Sequence, residues 1–387
     1  MQYSGARLEV TETKDASKRK SFDLSFFTLV MLLLIVGVVM VLSSSYARAY
    51  YDPGNMTGGN PAYYFIRQLV FAGLGIAAMV FASMLPMGFY KKYSIHFLIA
   101  AVILLMLVPV IGVKSNGARR WIGIGGLTIQ PSEIAKIAVI LSFSYIICKN
   151  RGKMTSFRHG VLPFVAILLV IVGLLVLEPH FSASIIIIAV GGCMIFLGGA
   201  KLGWFIGAAV AAAGGIAVLL TMFPYASTRI STWLDPFSST SDEGYQIVQS
   251  LYSIGSGGLT GLGLGKSRQK YLYLPEEHND FIFSVVCEEL GYIGAMLILI
   301  LFALLIIRGY WLAVNCRERY SCLVCAGITT LLAIQVILNV AVVTNLVPCT
   351  GISLPFFSYG GTALLIQMTE MGIVLSASRD IPVVKAG

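Results

Sequence analysis

Phe164-Val-Ala-Ile-Leu-Leu-Val-Ile-Val-Gly-Leu-Leu-Val-Leu177 places no charged or hydrogen-bonding side chain in its length. Ser184-Ile-Ile-Ile-Ile-Ala-Val-Gly-Gly-Cys-Met-Ile-Phe-Leu-Gly-Gly-Ala200 follows it with almost the same character. A helix at the surface of a soluble protein shows a polar stripe. Neither run has one, so each expects apolar surroundings on every side. Similar runs recur from Phe22 to Ser378, over about 22–44, 63–85, 94–113, 132–148, 161–178, 182–200, 203–223, 281–307, 321–343 and 361–378. Many reach the roughly 20 residues that cross a bilayer core. Backbone amides in lipid must be satisfied within their own segment, which makes such runs helices. The expected fold is an all-α polytopic membrane protein, with about ten transmembrane helices and a long outer loop between helices 7 and 8. Composition agrees: of 387 residues 57% are apolar and 12% charged, about half the charged share of a soluble domain.

The first run, Leu24 to Leu42, is too long for the apolar part of a signal peptide and lacks a clean small-residue cleavage site, so it is expected to stay as an anchor. The organisation read from the sequence is a polar cytoplasmic tail over 1–21, a membrane domain over 22–378 containing the outer loop 224–280, and a second cytoplasmic tail over 379–387.

Lys and Arg set the orientation. One set of loops carries seventeen of them, including Lys18, Arg19, Lys20, Arg151, Lys153 and Arg319, and the other set carries eight. The richer side is read as cytoplasmic, with both termini on it. The net charge of +9 is then a topology signal with some anionic-lipid contact added, and gives no reason to expect nucleic acid. Lys114, Arg119 and Arg120 break the pattern, because they crowd a short outer loop. Either an anionic ligand or a nearby carboxylate is expected to compensate them. The seven cysteines lie mostly in segments or at the inner face. Cys322-x-x-Cys325 has no second pair, and no zinc or disulfide site is expected.

Charges within membrane segments mark candidate sites. Glu133 and Lys136 are three residues apart near the outer start of the fourth segment, on one helix face. They form either a polar cavity wall or a structural ion pair. Glu288 and Glu289 are adjacent in the eighth segment and need separate partners. The loop before that segment is too long to be a plain connection. It contains Arg229, an amphipathic stretch Gly244-Tyr-Gln-Ile-Val-Gln-Ser250 suited to the membrane surface, and the glycine-dense Gly255 to Gly265. That glycine run lacks the ending and the strand–helix context of a phosphate loop. The loop closes on Asp280, at the boundary of lipid and water. A carboxylate there is a candidate general base with a raised pKa, or a helix N-cap, or both.

Seven stretches in order then resemble one family, the shape, elongation, division and sporulation (SEDS) proteins, with FtsW, RodA and SpoVE as members. They are Asn116-Gly-Ala-Arg-Arg-Trp121, Gln130-Pro-Ser-Glu-Ile-Ala-Lys136, Gly244 to Ser250, Ile254-Gly-Ser-Gly-Gly258, Leu274-Pro275 through Asp280-Phe-Ile-Phe283, Glu288-Glu-Leu-Gly291 and Leu354-Pro-Phe-Phe-Ser-Tyr-Gly-Gly-Thr362. The likeness is nearer to FtsW and SpoVE than to RodA. It implies a peptidoglycan glycosyltransferase of the bacterial inner membrane that polymerises lipid II on the outer leaflet during division, elongation or sporulation. Asp280 would be its general base, and Arg119, Arg120, Trp121, Glu133, Lys136, Gln249, His278 and Ser358 would bind substrate. Arg119, Arg120 and Lys136, or a divalent cation such as Mg or Mn, would neutralise the departing pyrophosphate. His180 stands where many members carry Asp, in Glu178-Pro-His180 instead of Gln-Pro-Asp, so an acidic role there is not carried over. No stretch reads as a periplasmic domain able to make peptide cross-links, and the resemblance implies a class B penicillin-binding protein as partner, with other divisome or elongasome membrane proteins. The eighth and ninth segments are its expected docking site, with small residues at Ala326, Gly327, Thr329 and Thr330. Two competing functions are a lipid II flippase and a scaffold without activity.

Overall fold

A computed structural model describes residues 22–51, 57–115, 118–124, 127–210, 231–238 and 242–381. The amino-terminal tail, most of the carboxy-terminal one, Asn116, Gly117, Arg229, the seventh segment beyond 210 and the first part of the outer loop lie outside these residues. Nine of the ten expected segments are helices: α1 (Leu24–Tyr51), α2 (Tyr63–Met84), α3 (Met87–Ile111), α4 (Pro131–Lys149), α5 (Leu162–Leu177), α6 (Phe181–Leu197), α8 (Ile282–Asn315), α9 (Arg319–Val343) and α10 (Gly361–Ser378). The amphipathic stretch of the outer loop is α7 (Asp242–Ser256). The seventh segment is helical over 202–210. Among the described residues, seven helices are long and apolar enough to cross a membrane. The protein is a multi-pass membrane protein.

Two boundaries move, each for a local reason. α3 starts at Met87, seven residues before the expected 94, because Pro86 is extended and launches the helix through the polar Lys91 and Lys92. α8 runs eight residues past the expected 307 to Asn315, through the cation–π contact of Arg308 over Trp311, 4.2 Å from guanidinium carbon to ring centroid.

The loop between α3 and α4 adds a small antiparallel sheet, β1 (Val113–Ser115), β2 (Ala118–Ile124) and β3 (Leu127–Ile129), in that order. Thr362 at the start of α10 donates to the Thr128 carbonyl at 2.7 Å and ties β3 to the bundle. α10 lies along α2, where Gly75 meets Met368 and Gly372 meets the Met79 backbone without side chains to hold them apart.

The glycine-dense run has a structural purpose. At Gly291, φ is 68° and ψ −173°, and α8 breaks. The break frees backbone groups on both sides, and the loop takes them up. Leu262 and Gly263 donate to the Glu288 and Glu289 carbonyls at 2.9 and 3.0 Å, while Tyr292 and Ile293 donate to Gly258 and Leu259 at 2.9 and 3.1 Å. The loop is thus spliced into a broken membrane helix, which satisfies backbone groups that lipid would leave bare. A Cβ on Gly291 would sit 2.2 Å from the Gly261 nitrogen, and one on Gly261 2.2 Å from the Glu289 oxygen. Gly291→Ala is therefore expected to cost at least about 2 kcal/mol, read as a lower midpoint of thermal unfolding and loss of monodisperse protein. Unchanged stability would show that the helix closes without the loop.

The adjacent glutamates do take separate partners. Glu288 accepts from Ser253 at 3.0 Å and Ser267 at 2.5 Å, while Glu289 pairs with Lys270 at 2.9 Å and accepts from Ser43 at 2.6 Å. All this is buried and fixes the outer loop to α1 and α8. Lys270 is consequently sequestered, 2% exposed.

The small residues of α9 are also used within the chain, contrary to the expected docking site. A Cβ on Gly327 would meet Ile140 at 2.6 Å and Met194 at 2.7 Å, and Thr329 closes on Gly309 of α8. Gly327→Leu is therefore expected to prevent folding, so that little of the variant elutes as a monodisperse species. A well-folded variant would show that α4 and α6 yield to it.

Candidate active site

A polar cavity of about 750 Å³ opens between β2, β3, the bundle and the end of the outer loop. Its wall includes Arg120, Trp121, Glu133, Lys136, His278, Asp280 and Ser358 from the sequence analysis. These come from the sheet, α4 and the loops flanking α8 and α10, more than two hundred residues apart in the chain.

Asp280 is held from behind. Asn339 of α9 donates to its backbone carbonyl at 2.8 Å and to that of Ile352 at 2.7 Å. Ser358 donates to the Asn279 carbonyl at 2.8 Å and accepts from the Leu354 amide at 2.7 Å, so it positions the loop as well as lining the cavity. Gly351, at φ 63°, leaves room in front: a Cβ there would lie 3.1 Å from Asp280 Oδ2. The N-cap reading does not hold, since α8 starts at Ile282 with Phe281 at the cap and no side-chain capping bond. The Asp280 carboxylate makes no hydrogen bond or ion pair among the described residues. Burial raises its pKa from the usual 3.8 to about 6, with the Glu276 charge adding and His278 and Arg120 opposing.

Strand alternation separates the two arginines of the motif. Neighbouring residues of β2 face opposite ways. Arg120 turns to the cavity and donates to the Pro179 carbonyl at 2.5 Å, with its buried Nε left unpartnered. Burial lowers its pKa, against the attraction of Asp280 and Glu178. Arg119 turns away, donates to the Pro109 carbonyl at 2.8 Å and stands opposite Lys114. It is not in the cavity wall. Nor is Gln249; Gln246, one turn earlier on α7, lines the wall instead.

Glu133 and Lys136 form an ion pair of 2.7 Å with the lysine 3% exposed. Glu370 of α10, 4% exposed, lies on the same cavity and acts electrostatically on Lys136. His278 packs at a tilt against Tyr64 and Tyr359, with ring centroids 4.8 and 5.7 Å away and interplanar angles of 46° and 45°. Glu277 beside it pairs with Arg48 of α1 at 3.1 Å. His180 also lines the cavity, 3.4 Å from Gln130. Burial, then Arg120 and Lys136, depress its pKa to about 3, so it is neutral. Glu178, 1% exposed, has both carboxylate oxygens without a hydrogen-bond partner, and burial raises its pKa to about 7 against Arg120.

Arg48, Arg67, Gln130, Asn339 and Glu370 were not singled out as site residues from the sequence. The embedded charges Arg67 and Glu370 were the available signal. Among the described residues no three His, Cys, Asp or Glu side chains gather in a way that could hold a metal ion. Chemically, the cavity offers at Asp280 a carboxylate with a raised pKa and no hydrogen bond, in the same wall as Arg120 and Lys136, in a space suited to a polar anionic substrate.

A sequence model described as cell cycle protein, covering FtsW, RodA and SpoVE, matches residues 23–381. Stage V sporulation protein E of Bacillus subtilis is 38% identical over 366 residues, covering 94% of this chain and 98% of that protein. A probable peptidoglycan glycosyltransferase FtsW of Trichlorobacter lovleyi is 38% identical over 370 residues, covering 94% and 96%. A solved structure described as structural coordination of polymerization and crosslinking by a peptidoglycan synthase complex superposes with a TM-score of 0.77 at 29% identity, covering 93% of this chain and 98% of that one.

Proposed function

The chain belongs to the cell cycle protein family of FtsW, RodA and SpoVE, and from that premise we propose that it is a peptidoglycan glycosyltransferase that polymerises lipid II, with Asp280 as general base. The observation carrying this reading is the unpaired Asp280 carboxylate in a cavity that also presents Arg120 and Lys136. The 4-hydroxyl of one sugar attacks the anomeric carbon of another. Asp280 takes the hydroxyl proton as the new glycosidic bond forms, and the bond from the anomeric carbon to pyrophosphate breaks. Arg120, which keeps an unpartnered N–H, and Lys136 neutralise the charge gathering on the leaving group. The aromatic group of His278, Tyr64 and Tyr359 supplies a face for a sugar ring. The cavity faces the outer leaflet and both termini are cytoplasmic.

Lipid II supplied to the purified protein in nanodiscs tests this. Polymer on a gel supports it, movement of lipid II without polymer means a flippase, and neither means a scaffold. The pKa gives a further expectation. The base works ionised, so polymerisation is expected to fall about tenfold for each pH unit below 6 and to level off above about 7. A rate flat from pH 5 to 7 would remove Asp280 from the rate-limiting proton transfer.

For the partner, the supporting feature is a stripe on α8, with Ile293, Leu297, Ile300, Leu304, Ile307, Trp311 and Val314 exposed at three- and four-residue spacing. A single membrane helix of a class B penicillin-binding protein would lie along it.

A further inference from the structure

On the face opposite Asp280, α3 and α9 begin and α4 ends. A second crevice of about 300 Å³ opens there, with Lys91, Lys149, Arg151, Glu318 and Tyr320 in its wall. Its charge is unbalanced. Glu318 is taken by an ion pair with Lys91, whereas Lys149 and Arg151 have no carboxylate partner among the described residues. The first turn of the 25-residue α9 opens at the crevice, since Glu318 is its cap residue and makes no side-chain capping bond. Backbone N–H groups at a helix start favour an anion.

Tyr320 supplies the independent observation. Its side chain is 0% exposed, it lines the crevice, and its hydroxyl has no hydrogen-bond partner. The ammonium of Lys91 lies 6.0 Å from its ring centroid. A buried hydroxyl left unpaired costs about 1–3 kcal/mol, so an acceptor in the crevice would remove a standing penalty. Two free cations, an uncapped helix start and a donor without an acceptor describe a receptor for an oxyanion.

We propose that this crevice binds the phosphate of an anionic phospholipid headgroup, drawn from the leaflet opposite the Asp280 cavity. The site lies at the ends of membrane helices, where headgroup phosphates are the most concentrated anions, and basic pockets between such ends suit them. The inference needs only the multi-pass fold, not the proposed chemistry.

The test uses the full chain, delipidated in detergent and offered phosphatidylglycerol or phosphatidylcholine, with retained lipid read by native mass spectrometry. Phosphatidylglycerol is expected to be retained at least about tenfold over phosphatidylcholine, because both carry the phosphate but the choline cation of the second meets Lys149 and Arg151, each worth about 1 kcal/mol against a net anionic headgroup. Lys149→Gln with Arg151→Gln, both exposed positions, should abolish the preference. Tyr320→Phe should weaken retention by a similar factor while leaving the lipid-free thermal midpoint unchanged or higher, because it deletes an unsatisfied group. Equal retention of the two lipids by the wild type overturns the proposal, as does full retention by these variants. A midpoint raised by inorganic phosphate with no lipid retained would make it a free-anion site and overturn the lipid assignment.

Discussion

Asp280→Asn is expected to lower polymerisation of lipid II by at least about a hundredfold, the low end of what a general base contributes. Asparagine keeps the size and cannot accept the proton. The same substitution is expected to leave the protein at least as stable at pH 7.5. The sign follows from the pKa. Burial holds Asp280 at about 6 in the folded chain against 3.8 ordinarily, so ionisation opposes folding. That cost is absent below about pH 4, grows between 4 and 6, and is full above 6, where it amounts to at most about 3 kcal/mol. The amide removes it. A residue serving only the fold would behave the opposite way, losing stability and activity together. Near-normal polymerisation by the Asn variant would sink the assignment. A large drop in the thermal midpoint at pH 7.5 would show that the carboxylate is structural.

The fold was legible because membrane helices announce themselves by length and by the lack of a polar face. Phe164 to Leu177 needed no context to be read. The β1–β2–β3 sheet was not legible, since its outer strands have three residues each, too few for alternation to register. Without it, Arg119 and Arg120 look equivalent, and only the pleat separates them. Gln249 illustrates the same limit on a helix: the motif marks α7, but the rotation of α7 against the cavity is a tertiary fact, and it favours Gln246. The break at Gly291 was hidden because the glycines that cause it lie in two segments thirty residues apart. Asp280 was legible from the loop-to-helix boundary and the family motif. Asn339, which holds it, and Gly351, which leaves it room, were not, because neither is near it in sequence and neither is a charged residue that would stand out in an apolar run.

Lys136→Met is expected to be more harmful than the loss of either acid near it. The lysine is 3% exposed and pairs with Glu133 at 2.7 Å, and Glu370 of α10, in the same cavity wall, attracts it electrostatically. Removing the lysine leaves two carboxylates in one cavity wall without the cation that acts on both. Breaking a buried pair in this way costs about 3–5 kcal/mol. Glu133→Gln leaves Lys136 with Glu370, and Glu370→Gln leaves it with Glu133, so each should cost clearly less. The cavity would also lose a cation proposed to neutralise pyrophosphate, so Lys136→Met should depress polymerisation even at a temperature where the variant is folded. Lys136→Arg keeps the charge and separates the two effects: it should restore stability in part and polymerisation in part, since the broader guanidinium must be fitted into a closed site. Thermal midpoints and single-turnover polymerisation of the four variants provide the comparison. If Glu133→Gln proved as damaging as Lys136→Met in both measurements, the lysine would be serving Glu133 alone, and the three-membered arrangement with Glu370 would be wrong.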